Sequence, residues 1–273
     1  MSEDRISQSL SIISEVLVSP NGYDLDELDE ISRNAPDPLS TFIQAALSSD
    51  GETMHRKLKD LYEFASKANN FQIWYDIGIL AHRLFFSQAA EKFYNQSLEL
   101  AEKEGDWRRA TLVLNQLGGL HKEIEDWTLA RDCYERGLDY GELAGDPGLT
   151  ASILGNLGDV YFESGNYEKA REYYQNSLNK LRETNSVESI IEVLSSLGRV
   201  YQTEGDLVRS ENCYQEILRE LERLGDRAGV AKILAKLGSV SYTNGDWDLA
   251  LDRFELAMRH MEDLGDRVGM AKM

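Results

Sequence analysis

Residues Gly155–Leu178 read GNLGDVYFESGNYEKAREYYQNSL, and this stretch decides the fold. Leu157, Val160 and Tyr161, joined upstream by Ile153 and Leu154, fall at helical spacing. So do Tyr167, Ala170, Tyr174 and Leu178 after the Gly165-Asn166 pair. A glycine ends one helix with a residue tolerant of positive φ, and the asparagine supplies a side-chain acceptor to cap the next. The stretch is therefore a helical hairpin.

The hairpin repeats along the chain. Leu-Gly recurs at Leu117-Gly118, Leu157-Gly158, Leu197-Gly198 and Leu237-Gly238, 40 residues apart each time. Gly-Asp stands at Gly105-Asp106, Gly145-Asp146, Gly225-Asp226 and Gly265-Asp266, with Asn185-Ser186 in the missing slot. The turn within each hairpin recurs as Gly165-Asn166, Gly205-Asp206 and Gly245-Asp246, with Glu125-Asp126 as a degenerate copy. Small residues on the first helix (Gly118, Gly158, Gly198, Gly238) and on the second (Ala90, Ala130, Ala170, Ser210, Ala250) let the helix axes approach. An aromatic follows four residues after the second small residue, at Tyr94, Tyr134, Tyr174, Tyr214 or Phe254, and is expected to fill the space between consecutive hairpins.

Strand signals are missing, and only Pro147 interrupts helix after Leu39, so the class is all-α. The order of an aromatic, Leu-Gly, a tyrosine-like position, a small residue, an aromatic and another small residue resembles the tetratricopeptide repeat (TPR). Trp74, Ile77-Gly78, Ala81, Ala90, Tyr94 and Ser97 carry one such motif; Leu157-Gly158, Tyr161, Ala170, Tyr174 and Ser177 carry another. The 40-residue period is similar to the long-helix variant of Pins-like adaptors, kinesin light chains and maltose-regulator-like proteins. This resemblance implies a right-handed α-α superhelix, a TPR solenoid of helical hairpins.

The expected organisation is an N-terminal helical cap or extension over 1–38, then a TPR array over 39–273. Within the array, 39–70 is a degenerate repeat: Leu39–Leu47 as first helix, Asp50-Gly51 as turn and Met54–Ala65 as second helix. Full repeats follow at 71–104, 105–144, 145–184, 185–224 and 225–264, and 265–273 begins a further, truncated one. An uncapped last hairpin leaves apolar surface in water, so end-to-end self-association through the C-terminal repeat is expected.

Acidic residues number 48 against 29 basic ones, a formal charge of -19. Such a surface repels polyanions, which argues against nucleic acid as partner. No apolar run approaches the ~18 residues that span a bilayer, and no signal-peptide pattern opens the chain, so it reads as cytoplasmic with no membrane partner. The acidic run Asp24, Asp26, Glu27, Asp29 and Glu30, with Leu25, Leu28 and Ile31 at helical spacing, reads as a solvated helix face, as a docking element for a basic partner, or as an autoinhibitory helix in the groove.

Chemistry-bearing patterns are lacking. Cys133 and Cys213 lie 80 residues apart at one position of two hairpins separated by a third, too far for a disulfide. The histidines His55, His82, His121 and His260 are scattered, and no cysteine spacing suits zinc. No phosphate-binding loop, dinucleotide fingerprint or nucleophile elbow occurs. The chain reads as a non-enzyme without cofactor or metal.

The resemblance implies that the first helices line a concave groove that takes an extended peptide or partner helix. Counted from each Leu-Gly pair, the outward positions lie two before the leucine, two after it, and five or six after it. They supply the candidate groove residues Tyr75, His82, Asn115, Lys122, Asp159, Phe162, Ser195, Arg199, Gln202, Ser239 and Tyr242. Chaperone-binding TPR domains clamp a terminal carboxylate with Lys, Asn and Arg at the first two of these positions, a pattern from which this chain departs. The resulting expectation is a protein-protein interaction scaffold whose partner is a protein or peptide. The alternative is a ligand- or peptide-sensing regulatory module of a larger signalling protein.

Overall fold

A computed structural model describes residues 51–184, 186–263 and 265. They form eleven helices and, among the described residues, no strand. Residues 1–50 and 266–273, with the expected cap, the Leu39–Leu47 helix, the acidic run and the start of the further repeat, lie outside the described residues.

The chain divides into two compact units, Met1–Gly145 and Asp146–Met273. In the first, α1 (Gly51–Ala68) precedes two hairpins, α2/α3 (Phe71–Arg83, Ser87–Glu104) and α4/α5 (Trp107–Glu123, Trp127–Ala144). Helix α1 extends past the expected Met54–Ala65 at both ends, and Gly51, expected in a turn, is its first residue. The second unit holds three hairpins: α6/α7 (Pro147–Glu163, Tyr167–Thr184), α8/α9 (Val187–Glu204, Leu207–Leu224) and α10/α11 (Arg227–Asn244, Trp247–Asp263).

The turns follow from local chemistry. Gly205 takes φ 81°, its N–H donates to the Gln202 carbonyl and the Asp206 N–H to that of Tyr201, which satisfies carbonyls the helix end would otherwise orphan. The Asp206 carboxylate then accepts the Arg209 N–H at 3.1 Å and starts α9. Asp106, Asp126, Asp146 and Asp226 cap four other helices in the same way. In the degenerate turn Glu125 is held at φ 61°, so neighbouring contacts impose there what glycine adopts freely elsewhere.

The helices of one hairpin meet at the glycine of the Leu-Gly pair. A β-carbon on Gly158 would stand 2.6 Å from Tyr174 Cδ1, and one on Gly78 2.7 Å from Tyr94 Cδ1. Gly118 faces Tyr134, Gly198 faces Tyr214 and Gly238 faces Phe254 in the same manner. The aromatic thus lies against the glycine of its own hairpin, where the sequence suggested a position between consecutive hairpins. Tyr94, Tyr134, Tyr174 and Tyr214 are the largest fully buried side chains. Ser210, where other hairpins have alanine, donates its hydroxyl to the Gly198 carbonyl at 2.8 Å, so its burial leaves no unpaired polar group.

Alanine at two glycines of α6 separates packing from backbone preference. Gly155→Ala adds a methyl whose nearest neighbour is Ser177 Oγ at 3.6 Å, an ordinary contact. Helix propensity then dominates, and stability rises by about 0.5–1 kcal/mol. In Gly158→Ala the same gain is outweighed by displacement of the buried Tyr174 ring, with a net loss of about 1–3 kcal/mol. Urea denaturation of both variants reads the difference; equal effects would contradict the packing argument.

Candidate functional site

Packing on the glycine turns the opposite side of each first helix outward. In the second unit this side of α6, α8 and α10 borders a cleft of about 560 Å³. Asp159 comes from α6, Glu192, Ser195, Ser196 and Arg199 from α8, and Lys232 and Lys236 from α10. Ile191, Ile233, Leu221 and Tyr214 supply its apolar surface. A smaller cleft of about 120 Å³ lies beside it, with Ser152, Asn156 and Asp159 facing Ser189, Glu192 and Ser196.

Three of the expected groove residues, Asp159, Ser195 and Arg199, meet in the larger cleft. Phe162 is adjacent: the Arg199 guanidinium stacks over its ring at 4.1 Å. Asp159 accepts the Tyr174 hydroxyl at 2.6 Å, linking the cleft to the hairpin seam. Burial, reinforced by that carboxylate, pushes the Tyr174 phenol above its ordinary range, so it remains a donor. Burial likewise raises Tyr214 to about 12. Gln202 is half-buried on the last turn of α8, the Ser239 hydroxyl donates to the Ala235 carbonyl at 3.1 Å, and Tyr242 is exposed edge-on to Trp247 at 4.8 Å; none of these three borders the cleft.

In the first unit the expected residues are tied into packing. Tyr75 stacks on Phe71 with ring centroids 5.6 Å apart. The His82 ring bridges the Tyr94 hydroxyl at 3.3 Å through Nδ1 and Glu123 at 3.0 Å through Nε2, joining α2 to α4. Asn115 and Lys122 are half-buried on α4. Beside Tyr75, Asp76 is 7% exposed and accepts Gln72 Nε2 at 2.7 Å. Burial raises this carboxyl to about 6, more than the hydrogen bond lowers it.

Counting from the Leu-Gly pair missed Lys232, Lys236, Glu192 and Ser196. They lie five and one residues before their leucine, three or four from the counted positions, so helical periodicity could have found them. It also missed a cleft of about 950 Å³ in the first unit, where Leu58 and Tyr62 of α1 face Phe85, Phe86 and Phe93. Cys133 and Cys213 are free and half-buried, and burial lifts both thiols to about 11, away from nucleophilic use. Among the described residues, no group of three or more His, Cys, Asp or Glu is placed to hold a metal, and no helix is long and apolar enough to cross a membrane.

A family model for the tetratricopeptide repeat matches residues 69–142, 110–183, 149–219 and 189–263. A search of the curated proteins found no match. Among solved structures the chain is similar to BtubC from P. vanneervenii, with 18% identity, 97% of this chain and 93% of that one covered, and a TM-score of 0.62. It is similar to the apo form of RapI at 13% identity, over 98% and 79% of the two chains, with a TM-score of 0.70. A signal transduction ATPase with numerous domains and a tetratricopeptide repeat sensor, from Pyrococcus horikoshii, matches at 18% identity over 97% of this chain and 42% of that one, with a TM-score of 0.68. At these identities the likeness bears on the fold.

Asp76 makes stability depend on pH with a defined sign. Its folded-state value, about 6, lies above the ordinary 3.8, so its contribution is fully present below 3.8 and is lost as pH rises through 6. Asp76→Asn should therefore stabilise the protein near neutral pH, by on the order of 1–3 kcal/mol. The gain should vanish below pH ~3, where the parent carboxyl is protonated in both states. Thermal melts of both proteins across that range check this; a gain independent of pH would contradict it.

Proposed function

The chain belongs to the tetratricopeptide repeat family, and from that premise we infer that it is a non-catalytic scaffold holding a protein or peptide segment along the outward face of its first helices. The observation that carries this reading is the cleft of the second unit. Helices α6, α8 and α10 bring Asp159, Ser195 and Arg199 together there over the apolar surface of Ile191 and Ile233. Interfaces draw on that combination of apolar contact and arginine anchoring, presented on elements whose spacing is set before the partner arrives. Two arginines of the second helix α7 are engaged in ion pairs: Arg182 with Glu216 of α9 at 3.2 Å, and Arg171 with Glu204 of α8 at 2.8 Å.

A regulatory reading draws on the likeness to the ATPase with a repeat sensor, of which this chain spans less than half. In that reading the same cleft takes the signal ligand and the scaffold forms part of a larger protein.

Ser195 is half-buried in the cleft wall, and tryptophan there would fill the space whatever the charge of the occupant. Affinity capture from native lysate with the parent chain should retain a discrete protein that Ser195→Trp loses and Glu172→Trp, on the exposed side of α7, keeps. Circular dichroism establishes that both variants are folded. Retention of the same protein by Ser195→Trp would contradict a groove-binding scaffold.

A further inference from the structure

The cleft of about 950 Å³ in the first unit is walled by Leu58 and Tyr62 of α1 on one side and by Phe85, Phe86 and Phe93 on the other. Tyr62 packs edge-on against Trp74 at 5.0 Å and lies 6.1 Å from the Phe93 ring, so ring contacts fix one wall against the other. Phe85 is 78% exposed and takes φ 63°, in the turn slot that Gly165, Gly205 and Gly245 fill in later hairpins. An aromatic residue there gains nothing from burial and strains its backbone, so neither the core nor the turn accounts for it.

Charge sets the same cleft apart. The chain carries 48 acidic residues against 29 basic ones, yet the charged side chains bordering this cleft, among the described residues, are Lys59 and Lys92, both exposed. Lys57 pairs with Asp60 at 3.5 Å, whereas Lys59 and Lys92 have no ion pair among the described residues. An aromatic surface flanked by two unneutralised cations suits an occupant that is both apolar and acidic.

The chain itself holds a segment of that chemistry outside the described residues. In residues 24–31, Leu25, Leu28 and Ile31 recur at helical spacing. Asp24, Glu27 and Asp29 stand four residues from Leu28, Ile31 and Leu25, which on a helix puts carboxylates along the border of the apolar stripe. Other apolar stretches before α1 lack the charge: residues 6–17 carry Glu15 alone, and residues 39–47 carry no acid. Reach is sufficient, because residues 32–50 span up to about 60 Å when extended. Leu58 and Tyr62 lie only roughly 10–17 Å along α1 from Gly51.

We propose that residues 24–31 dock in this cleft as a helix, with Leu25, Leu28 and Ile31 on Leu58, Tyr62 and Phe85 and with carboxylates of the segment paired to Lys59 and Lys92. Tethering supplies a high effective concentration, so contacts too weak to hold a free peptide suffice. The site uses no residue of the second unit and leaves the cleft of α6, α8 and α10 open to a partner, so it stands or falls apart from the groove reading.

Photocrosslinking of the full chain tests this, with p-benzoylphenylalanine in place of Ser32, four residues after Leu28 on the same stripe. Equal parts of isotope-labelled and unlabelled chain separate crosslinks within a chain from those between chains. Mass spectrometry should place the crosslinks within one chain, on α1 around Tyr62 and on the Phe85 turn. Their yield should fall severalfold in molar salt and in a Lys59→Glu, Lys92→Glu chain, altered at exposed positions and shown to be folded by thermal melt. Hydroxyl-radical oxidation of Phe85 should rise in the same variant. A yield and a Phe85 reactivity indifferent to the lysine changes would overturn the proposal. Mixed-isotope crosslinks would assign the cleft to a second copy, and crosslinks to Tyr75 or Asn115 would put the segment against the first helices instead. Either result, or crosslinks scattered or absent, overturns docking in this cleft.

Discussion

The contact between a helix glycine and a buried aromatic ring is the constraint from which the rest of each hairpin follows. At Gly158 the Tyr174 ring takes the place a β-carbon would need, and four other hairpins repeat the arrangement at Gly78, Gly118, Gly198 and Gly238. A first helix pressed flat against a ring on one side has its outward side determined by helix geometry alone. The phenol adds a second link. Tyr174 reaches past the seam to Asp159 and Tyr94 to His82, so these residues of the first helices are positioned by the same side chains that fill the core.

Turns and charges refine this frame. Left-handed residues end the helices and aspartates begin the next ones, and the backbone holds that geometry even where Glu125 or Phe85 replaces glycine. Most ion pairs on the surface are exposed and worth about 0–1 kcal/mol each. Their significance lies in distribution: Arg171, Arg182 and Arg253 of the second helices pair with neighbouring carboxylates, whereas Arg199, Lys232 and Lys236 border the cleft without an ion pair among the described residues.

The fold was largely legible because the Leu-Gly pair, the small residue and the aromatic recur in register, and each has one physical reason to do so. What the aromatic touches was harder to read, since sequence spacing does not distinguish the near side of its own hairpin from the next one. The lining of the second unit's cleft was partly legible. Asp159, Ser195 and Arg199 lie where counting put them, but a helix face spans positions three and four apart, so fixed offsets passed over Lys232 and Lys236. Tyr214 and Leu221 escaped because they reach the cleft from a second helix. In the first unit Tyr75 and His82 are spent on stacking and bridging, which only three-dimensional neighbours reveal.

The central claim is that the outward side of the first helices, and not that of the second, is the working surface. Hydroxyl-radical footprinting of the chain alone and with its captured partner measures this directly. The account predicts that oxidation of Phe162 and Ile191 falls when the partner is bound, while Leu249 and Leu256, exposed on the second helix α11, stay as reactive as before. Protection of Leu249 and Leu256 with Phe162 and Ile191 unchanged would contradict it.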